Sequence, residues 1–242
     1  MKKIYADHAA TTKLSDKALA VMMPYLQDSY KNPSTLYSSA RVPRKAIAGA
    51  RETIATAIGS FPNEILFTSG GTESDNWAIK NVLFSSDTCR KKIITSCIEH
   101  HAILNSCKMM EKLGFEVIYL PVDKDGLVRT ETLEKEMEND IALVSIMFAN
   151  NEIGTIQNVK ELALVAHKYG ALFHTDAVQA VGHIEIDVKD LDIDMLSASA
   201  HKFNGPKGVG FLYVKNGVEI HSLITGGNQE SGKRAGTENV AS

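Results

Sequence analysis

The chain has 242 residues, of which 44% are apolar and 23% are charged, and these fractions exclude wholesale disorder. Its 26 lysines and arginines nearly balance its 29 aspartates and glutamates, so the net charge is −3. This charge provides no field to attract nucleic acid or an anionic membrane, and any important basic group must act locally, inside a site.

The cysteines and the first residues indicate where the protein works. Cys89, Cys97 and Cys107 form no C-x-x-C pair and are odd in number, which favours a reducing compartment. The first residues lack the apolar stretch of a signal peptide, and the longest apolar run is too short to span a bilayer. We therefore expect a cytoplasmic protein that binds neither nucleic acid nor membrane.

Short β-rich runs alternate with helical patterns, which predicts an α/β fold: three layers, with a mainly parallel sheet flanked by helices. Strands are predicted at residues 64–68, 92–96, 116–120, 141–148, 172–175, 194–199 and 208–214. Helices are predicted at residues 15–28, 40–58, 72–83, 102–113, 130–138 and 158–169. Ser15 is expected to cap the first helix, and Gly170 is expected to end the last.

Polar or glycine residues follow five of the predicted strands. They are residues 69–72, 97–100, 150–152, 176–179 and 200–202. Because ligands bind beyond the carboxyl ends of the strands in an open parallel sheet, we expect these residues to form one site at that edge.

The first of these segments, Ser69-Gly70-Gly71-Thr72, follows a strand and opens a helix. Glycines let the backbone approach an anion, and a helix N-terminus offers unpaired N–H groups and the positive end of a dipole. The segment therefore predicts a phosphate cradle, although no Gly-Lys-Ser/Thr follows as in a Walker A loop. A turn with helix-capping hydroxyls is the alternative interpretation.

Two charged residues stand at the ends of later strands. Asp176 ends an apolar strand, where a carboxylate needs a cation: a protonated ring nitrogen of a bound heterocycle, an arginine or lysine, or a metal. Lys202 follows a strand and precedes a Gly-Pro turn, where a partly desolvated amine is suited to form a Schiff base with a carbonyl. The alternatives are a helix N-cap for Asp176 and a solvated surface position for Lys202.

The segment Glu99-His100-His101 contains adjacent histidines, which sometimes indicate zinc. The cysteines and histidines of the chain show no regular ligand spacing, so we predict no metal. A single histidine stacked on an aromatic ligand fits the strand-end position better.

Eight segments together resemble the cysteine desulfurases of the NifS/IscS group, which belong to the class V aminotransferases among the fold-type I enzymes that use pyridoxal 5′-phosphate. The resembling segments are residues 5–12, 67–76, 99–100, 150–154, 174–179, 199–202, 205–208 and 234–239. The resemblance implies a large cofactor-binding domain at residues 15–242. It also implies that residues 1–14 form an arm belonging with a small C-terminal domain that is absent from this chain.

The resemblance assigns a role to each site residue. Lys202 would hold pyridoxal 5′-phosphate covalently, Asp176 would pair with the ring nitrogen, and His100 would stack on the ring and move protons. Gln179 and Asn151 would contact the ring hydroxyl or the substrate. The residues implied for the phosphate are Gly71, Thr72, Ser199 and His201 and, from the neighbouring subunit, Thr237. A homodimer with shared sites follows from that last role.

The implied reaction converts L-cysteine to L-alanine and passes the sulfur on as an enzyme persulfide. The implied partner is a sulfur acceptor or an iron–sulfur scaffold protein, for iron–sulfur cluster or thio-cofactor assembly. No cysteine of this chain matches the family's nucleophile, so we expect the isolated chain to bind cofactor without desulfurase activity. The alternatives are a selenocysteine lyase or another class V aminotransferase, and a non-catalytic binding or scaffold module with the same fold.

Overall fold

A seven-stranded mixed sheet forms the centre of the structure, a computed structural model that describes residues 4–84 and 90–242. Its strands are β1 (Ile65–Thr68), β2 (Lys92–Ser96), β3 (Glu116–Leu120), β4 (Ile141–Ser145), β5 (Leu172–Asp176), β6 (Met195–Ser199) and β7 (Gly210–Val214). They are ordered β1-β7-β6-β5-β4-β2-β3 across the sheet. Of these described strands, only β7 runs antiparallel to the others, and it pairs with β6 and β1. The prediction of a mainly parallel sheet is confirmed.

The predicted helices all form in the described residues, with ends shifted by at most two positions. They are α1 (Asp16–Gln27), α2 (Arg41–Ala57), α3 (Gly71–Asn81), α4 (His101–Lys112), α5 (Thr130–Glu136) and α6 (Val159–Lys168). Ser15 caps α1, since its hydroxyl accepts the Ala18 N–H at 3.1 Å. Gly170 follows α6 with φ of 71°, and the next N–H, of Ala171, donates to the Ala166 carbonyl. This is the left-handed ending that glycine favours.

Two predicted strands exceed the observed ones by more than one residue. β4 stops at Ser145 because the Met147 N–H, on the side facing β2, donates to the buried carboxyl group of Glu99 instead of to a strand. β7 starts at Gly210 because Gly208 has φ of 83°, which extended backbone excludes.

Helices cover both faces of the sheet and give the predicted three layers. α3 and α4 pack on one face around Trp77, Ile103 and Met110, and α2, α5 and α6 cover the other. The consecutive residues Leu143 and Val144 of β4 belong to these two different apolar clusters, as the alternation of side chains along a strand requires. None of the described helices has the length and the apolar character needed to cross a bilayer.

The N-terminal residues run along the loop that follows β6. The Thr12 N–H donates to the His201 carbonyl at 2.8 Å, and the Asn204 N–H donates to the Thr12 hydroxyl at 2.7 Å. The Ser15 N–H then donates to the Asn204 carbonyl at 3.0 Å. These bonds bring residues 9–11 to the carboxyl edge of the sheet, and the division of the chain at residue 14 stays a prediction.

An ion network closes the opposite edge of the sheet, where β6 begins. The ring of His167 bridges two carboxylates, with Nδ1 2.9 Å from Asp192 and Nε2 2.7 Å from Asp194. Lys215 contacts both aspartates, and the Phe173 N–H donates to Asp194 at 2.8 Å. The hydrogen bond to Asp194, more than its charge or that of Asp192, raises the pKa of His167 against the opposing effect of burial.

We predict that His167→Gln destabilises the chain more at low pH than at high pH. A histidine whose pKa is raised by folding stabilises fully below its unfolded pKa, and the contribution is lost as the pH rises through the folded pKa. The cost should be about 1–2 kcal/mol near pH 5.5 and should shrink toward about pH 9, measured by urea unfolding. The control is Lys160→Gln, which removes the exposed pair with Asp190 and should cost at most about 0.5 kcal/mol. An equal His167→Gln cost at both pH values would contradict the assignment.

Candidate active site

The carboxyl ends of the parallel strands open onto a cavity of 730 Å³, a volume suited to a cofactor-sized ligand. Nine of the ten predicted site residues line it: Gly71, Thr72, His100, Asn151, Asp176, Gln179, Ser199, His201 and Lys202. The tenth, Thr237, lies on an adjacent groove, and its role toward another subunit stays a prediction.

The cradle at the start of α3 depends on close backbone packing. Gly70 has φ of 148°, and a Cβ at this position would lie 3.4 Å from the Ser199 hydroxyl. On the neighbouring strand, a Cβ on Gly210 would lie 2.3 Å from the Ala198 carbonyl oxygen and 2.7 Å from the Gly70 Cα. The glycines therefore let β7 hold the loop directly beside Ser199, with the first N–H groups of α3 free of helical partners.

An ion pair fixes the side of this cradle. Arg234 donates two hydrogen bonds to Glu73, at 2.9 Å from Nε and 3.1 Å from Nη2, and Glu73 also accepts the Ser69 N–H. Burial raises the pKa of Glu73, but the hydrogen bonds from Arg234 and Ser69 outweigh it and leave that pKa below its usual value. Glu73 therefore stays ionised and joins Arg234 to the backbone of Ser69, at the start of the cradle.

Asp176 lies at the floor of the cavity and is 5% exposed. One of its oxygens accepts the Val178 N–H at 2.9 Å, and it forms no salt bridge among the described residues. Burial raises the pKa of Asp176, while the Val178 N–H and the charges of His100 and Lys202 oppose this shift. The pKa of Asp176 stays raised on balance, so a cationic ligand group bound beside it would favour its ionised form.

Lys202 extends into the cavity from the turn after β6. Its ammonium donates to the carbonyl of Ala9 and, at 3.0 Å, to that of Ala10. Gln179 donates to the same Ala9 carbonyl at 2.9 Å. Burial lowers the pKa of Lys202, and the charges of Asp176 and Asp7 oppose this shift only in part. A lowered pKa favours the neutral amine, which is the nucleophilic form.

Two histidines hold fixed orientations at the rim. His100 is the N-cap of α4, and its Nδ1 accepts the Ala102 N–H at 3.1 Å, which directs the other ring nitrogen away from the helix. The ring of His201 contacts the Thr11 hydroxyl at 3.0 Å. Burial first, then the charges of Lys202 and Lys207, lower the pKa of His201, so this ring is neutral at physiological pH.

Sequence reasoning missed several residues of the site. Asp7, Asp75 and Glu99 fall within the resembling segments but received no role there, although Asp7 and Asp75 line the cavity and Glu99 is buried. A signal existed for Asp75, because it falls at helical spacing with Gly71 and Ala78 on the buried face of α3. Because an aspartate is almost never fully buried unless it is paired, its position on such a face indicates a special role. Asp7 gave no such signal, since its place depends on the fold of the N-terminal arm.

Asp75, His100 and Asp176 each place one potential donor atom within 4.8 Å of the other two. Such a group has a geometry that a metal ion also uses, and it belongs to the cavity already described. The expectation that the protein uses no metal stays a prediction.

The cysteines in the described part of the chain do not line the cavity. Cys97 is exposed at the end of β2, whereas Cys107 is buried on α4. Burial, and to a lesser degree the charges of Glu99 and Glu111, raise the pKa of Cys107 to about 12, so its thiolate is scarce at neutral pH. Cys89 lies outside the described residues.

The comparisons with known proteins agree with this geometry. A family model described as Aminotransferase class-V matches residues 4–242, and the chain belongs to that family. Over 240 residues the chain is 55% identical to the cysteine desulfurase IscS of Dictyoglomus turgidum, covering 99% of this chain and 61% of the relative. It is 53% identical over 239 residues to the IscS of Methanosarcina thermophila, covering 99% and 59%.

Two solved structures share the fold. A NifS-like protein superposes with a TM-score of 0.96 at 43% identity, covering 99% of this chain and 66% of the other. SspA in complex with cysteine gives the same TM-score at 41% identity, covering 99% and 70%. The family resemblance and the fold class inferred from the sequence are thereby confirmed. The chain spans between 59% and 63% of the length of the curated relatives that it matches.

We predict that Gly210→Ala destabilises the chain by about 1–3 kcal/mol, because the added methyl group meets backbone atoms of Ala198 and Gly70 that cannot move aside cheaply. The control is Gly49→Ala within α2, where a Cβ meets no atom within 4 Å. That control should be stabilising by about 0.5–1 kcal/mol through helix propensity. Urea unfolding measures both variants, and a neutral Gly210→Ala would contradict the close packing.

Proposed function

We propose that this chain is the cofactor-binding part of a cysteine desulfurase that uses pyridoxal 5′-phosphate. The observation that carries the proposal is the placement of a lysine amine, a buried carboxylate and a glycine-lined helix N-terminus around one cavity. These three groups match the aldehyde, the ring nitrogen and the phosphate of that cofactor. The division into an arm at residues 1–14 and a large domain at residues 15–242 is part of the same proposal.

The described residues fit the cofactor group by group. Asp176 is a buried carboxylate without a salt bridge in the described part of the chain, and a protonated ring nitrogen would neutralise it. Lys202 has a lowered pKa and reaches into the cavity, as a covalent attachment requires. The start of α3, with Thr72, Ser199 and His201, offers N–H and side-chain donors where the phosphate would bind.

When bound, pyridoxal 5′-phosphate acts as an electron sink for charge that develops on the substrate's α-carbon. The chain's own groups orient that chemistry. Asp176 would keep the ring nitrogen protonated, and His100, which lines the cavity, would move protons on the substrate. Gln179 and Asn151 also line the cavity, where they would contact the ring hydroxyl or the substrate.

L-cysteine is the substrate that the comparisons favour. The relatives at 51% to 55% identity carry the name cysteine desulfurase IscS, and the solved structure of SspA contains cysteine. We propose that the whole protein converts L-cysteine to L-alanine and passes the sulfur, as a persulfide, to an acceptor or an iron–sulfur scaffold protein. We propose a cytoplasmic location, which the cysteine usage supports.

We predict that Lys202 is the attachment site of the cofactor. Incubation with pyridoxal 5′-phosphate, borohydride reduction and peptide mapping should place one pyridoxyl group on Lys202, and Lys202→Ala should abolish it. Lys207→Ala is the matched control, because Lys207 lines the same cavity and should not be labelled. Labelling that persists in Lys202→Ala and is lost in Lys207→Ala would reverse the assignment.

We predict that the 242-residue chain, loaded with cofactor, releases sulfide from L-cysteine no faster than free pyridoxal 5′-phosphate. The reason is that neither described cysteine lines the cavity, and removal of a nucleophile lowers a rate by several orders of magnitude. Methylene blue formation measures the sulfide. Robust release that Cys97→Ser or Cys89→Ser removes would contradict this and identify the nucleophile.

A homodimer is the assembly that we propose. No residue of α1 is buried, and Leu36, Tyr37 and Val42 are exposed at 101%, 75% and 53%. Apolar surface of this extent is typical of an interface. Thr237, which lies outside its own cavity, would then reach the partner's phosphate site.

Sedimentation at micromolar concentration should therefore show a dimer. A stable interface of this kind buries about 800 Å² on each subunit. Leu36→Asp should shift the chain toward monomer, because it places a charge in the apolar contact. Glu131→Lys, on the exposed side of α5, controls for a change of charge. A wild-type chain that sediments only as a monomer would contradict the dimer.

A further inference from the structure

Three carboxyl groups lie buried below the cavity, and only one of them has a role so far. Asp75 and Glu99 are 1% and 5% exposed, and Asp176 is 5% exposed. One oxygen of Asp75 lies within 4.8 Å of one oxygen of Asp176. Asp75 Oδ1 and Glu99 Oε2 are buried without a hydrogen-bond partner among the described residues.

No lysine or arginine in the described part of the chain neutralises Asp75 or Glu99. The nearest basic group to Asp75 is His174, whose Nε2 lies 3.9 Å from Oδ1. The ring of His174 is fully buried between the hydroxyls of Ser145 and Ser197, at 2.9 Å from each. Burial lowers the pKa of His174 to about 3, so this ring is neutral and supplies no positive charge.

Like charges at this separation in a buried site cannot all be ionised without a large cost. Burial raises the pKa of all three groups, but only Asp176 has cations, Lys202 and His100, that oppose this rise, together with the hydrogen bond from the Val178 N–H. Glu99 accepts hydrogen bonds at one oxygen only, from the Ser96 hydroxyl at 2.6 Å and the Met147 N–H at 2.9 Å. A protonated Glu99 keeps both of these bonds.

We infer that Asp75 and Glu99 keep their protons at neutral pH, which leaves Asp176 as the single ionised carboxylate of the cluster. Burial, then the charge of Asp176, raise the pKa of Asp75 well above its usual range, in agreement with this assignment. Burial likewise raises the pKa of Glu99 to about 8. The inference rests on the proposed function only in giving Asp176 a ring nitrogen to face.

Glu99 also positions the site directly. Its side chain joins the end of β2, through Ser96, to the backbone after β4, through Met147. His100 follows Glu99 on the first of these segments, and Asn151 follows on the second. A neutral Glu99 can hold both segments without placing a second negative charge next to Asp176.

The test is a proton count on the chain without cofactor. An acid that is protonated when folded and ionised when unfolded makes the unfolding equilibrium constant rise up to tenfold per pH unit between its unfolded and folded pKa values. Asp75→Asn and Glu99→Gln keep the shape of the side chains and remove the titration. The slope of log K for unfolding against pH counts the protons released on unfolding. Each variant should lower this slope by up to about one between about pH 5 and 7.5.

Two further measurements accompany the slopes. The infrared C=O band of protonated carboxyl groups in the folded chain should lose intensity in each variant. Glu131→Gln, at an exposed position of α5, is the matched control and should leave both the slope and the band as in the wild type. Comparison with the wild type at each pH cancels contributions from other groups, including His167.

Unchanged slopes and an unchanged infrared band in Asp75→Asn and Glu99→Gln would overturn the inference. That result would leave the proposed function intact, because cofactor uptake through Lys202 is measured separately. Failure of the wild-type chain to take up pyridoxal 5′-phosphate would overturn the proposed function and leave the proton count standing.

Discussion

The buried charge of Asp176 is the constraint on which the rest of the site depends. A carboxylate at the end of a central strand is costly unless a cation or donors face it. Asp176 has one such donor, the Val178 N–H, and its side chain also lines the cavity. Lys202, whose own pKa is lowered, bonds to the carbonyls of Ala9 and Ala10 rather than to Asp176. The carboxylate is therefore kept for a ligand.

The sheet explains how so many groups meet around that charge. The parallel strands β2, β4, β5 and β6 end at one edge, so the residues that follow them converge there. The antiparallel β7 contributes differently, because Gly210 brings its backbone against the cradle at Gly70. The strand ends and the close glycine packing thus shape the cavity from the chain's own backbone.

Electrostatic balance decides which groups of the site carry charge. Glu73 is kept ionised by Arg234, whereas burial disfavours charge on Asp75, Glu99 and His174. The same residue types therefore take different states according to whether a cation lies beside them. In this arrangement Asp176 carries the negative charge at the cavity floor, and no second ionised carboxylate lies beside it.

The sequence by itself determined the class of fold, the order of the elements and most of the cavity lining. Alternating periodicities located the strands and helices, and the strand-end rule selected Asp176 and Lys202, since both signals are local in the chain. The tertiary structure alone decided what lies between distant segments. The contact of Ala9 with Lys202 joins residues 193 positions apart, and the proximity of Asp75 to Asp176 joins two elements. Such contacts depend on how elements pack, and no local pattern records that packing.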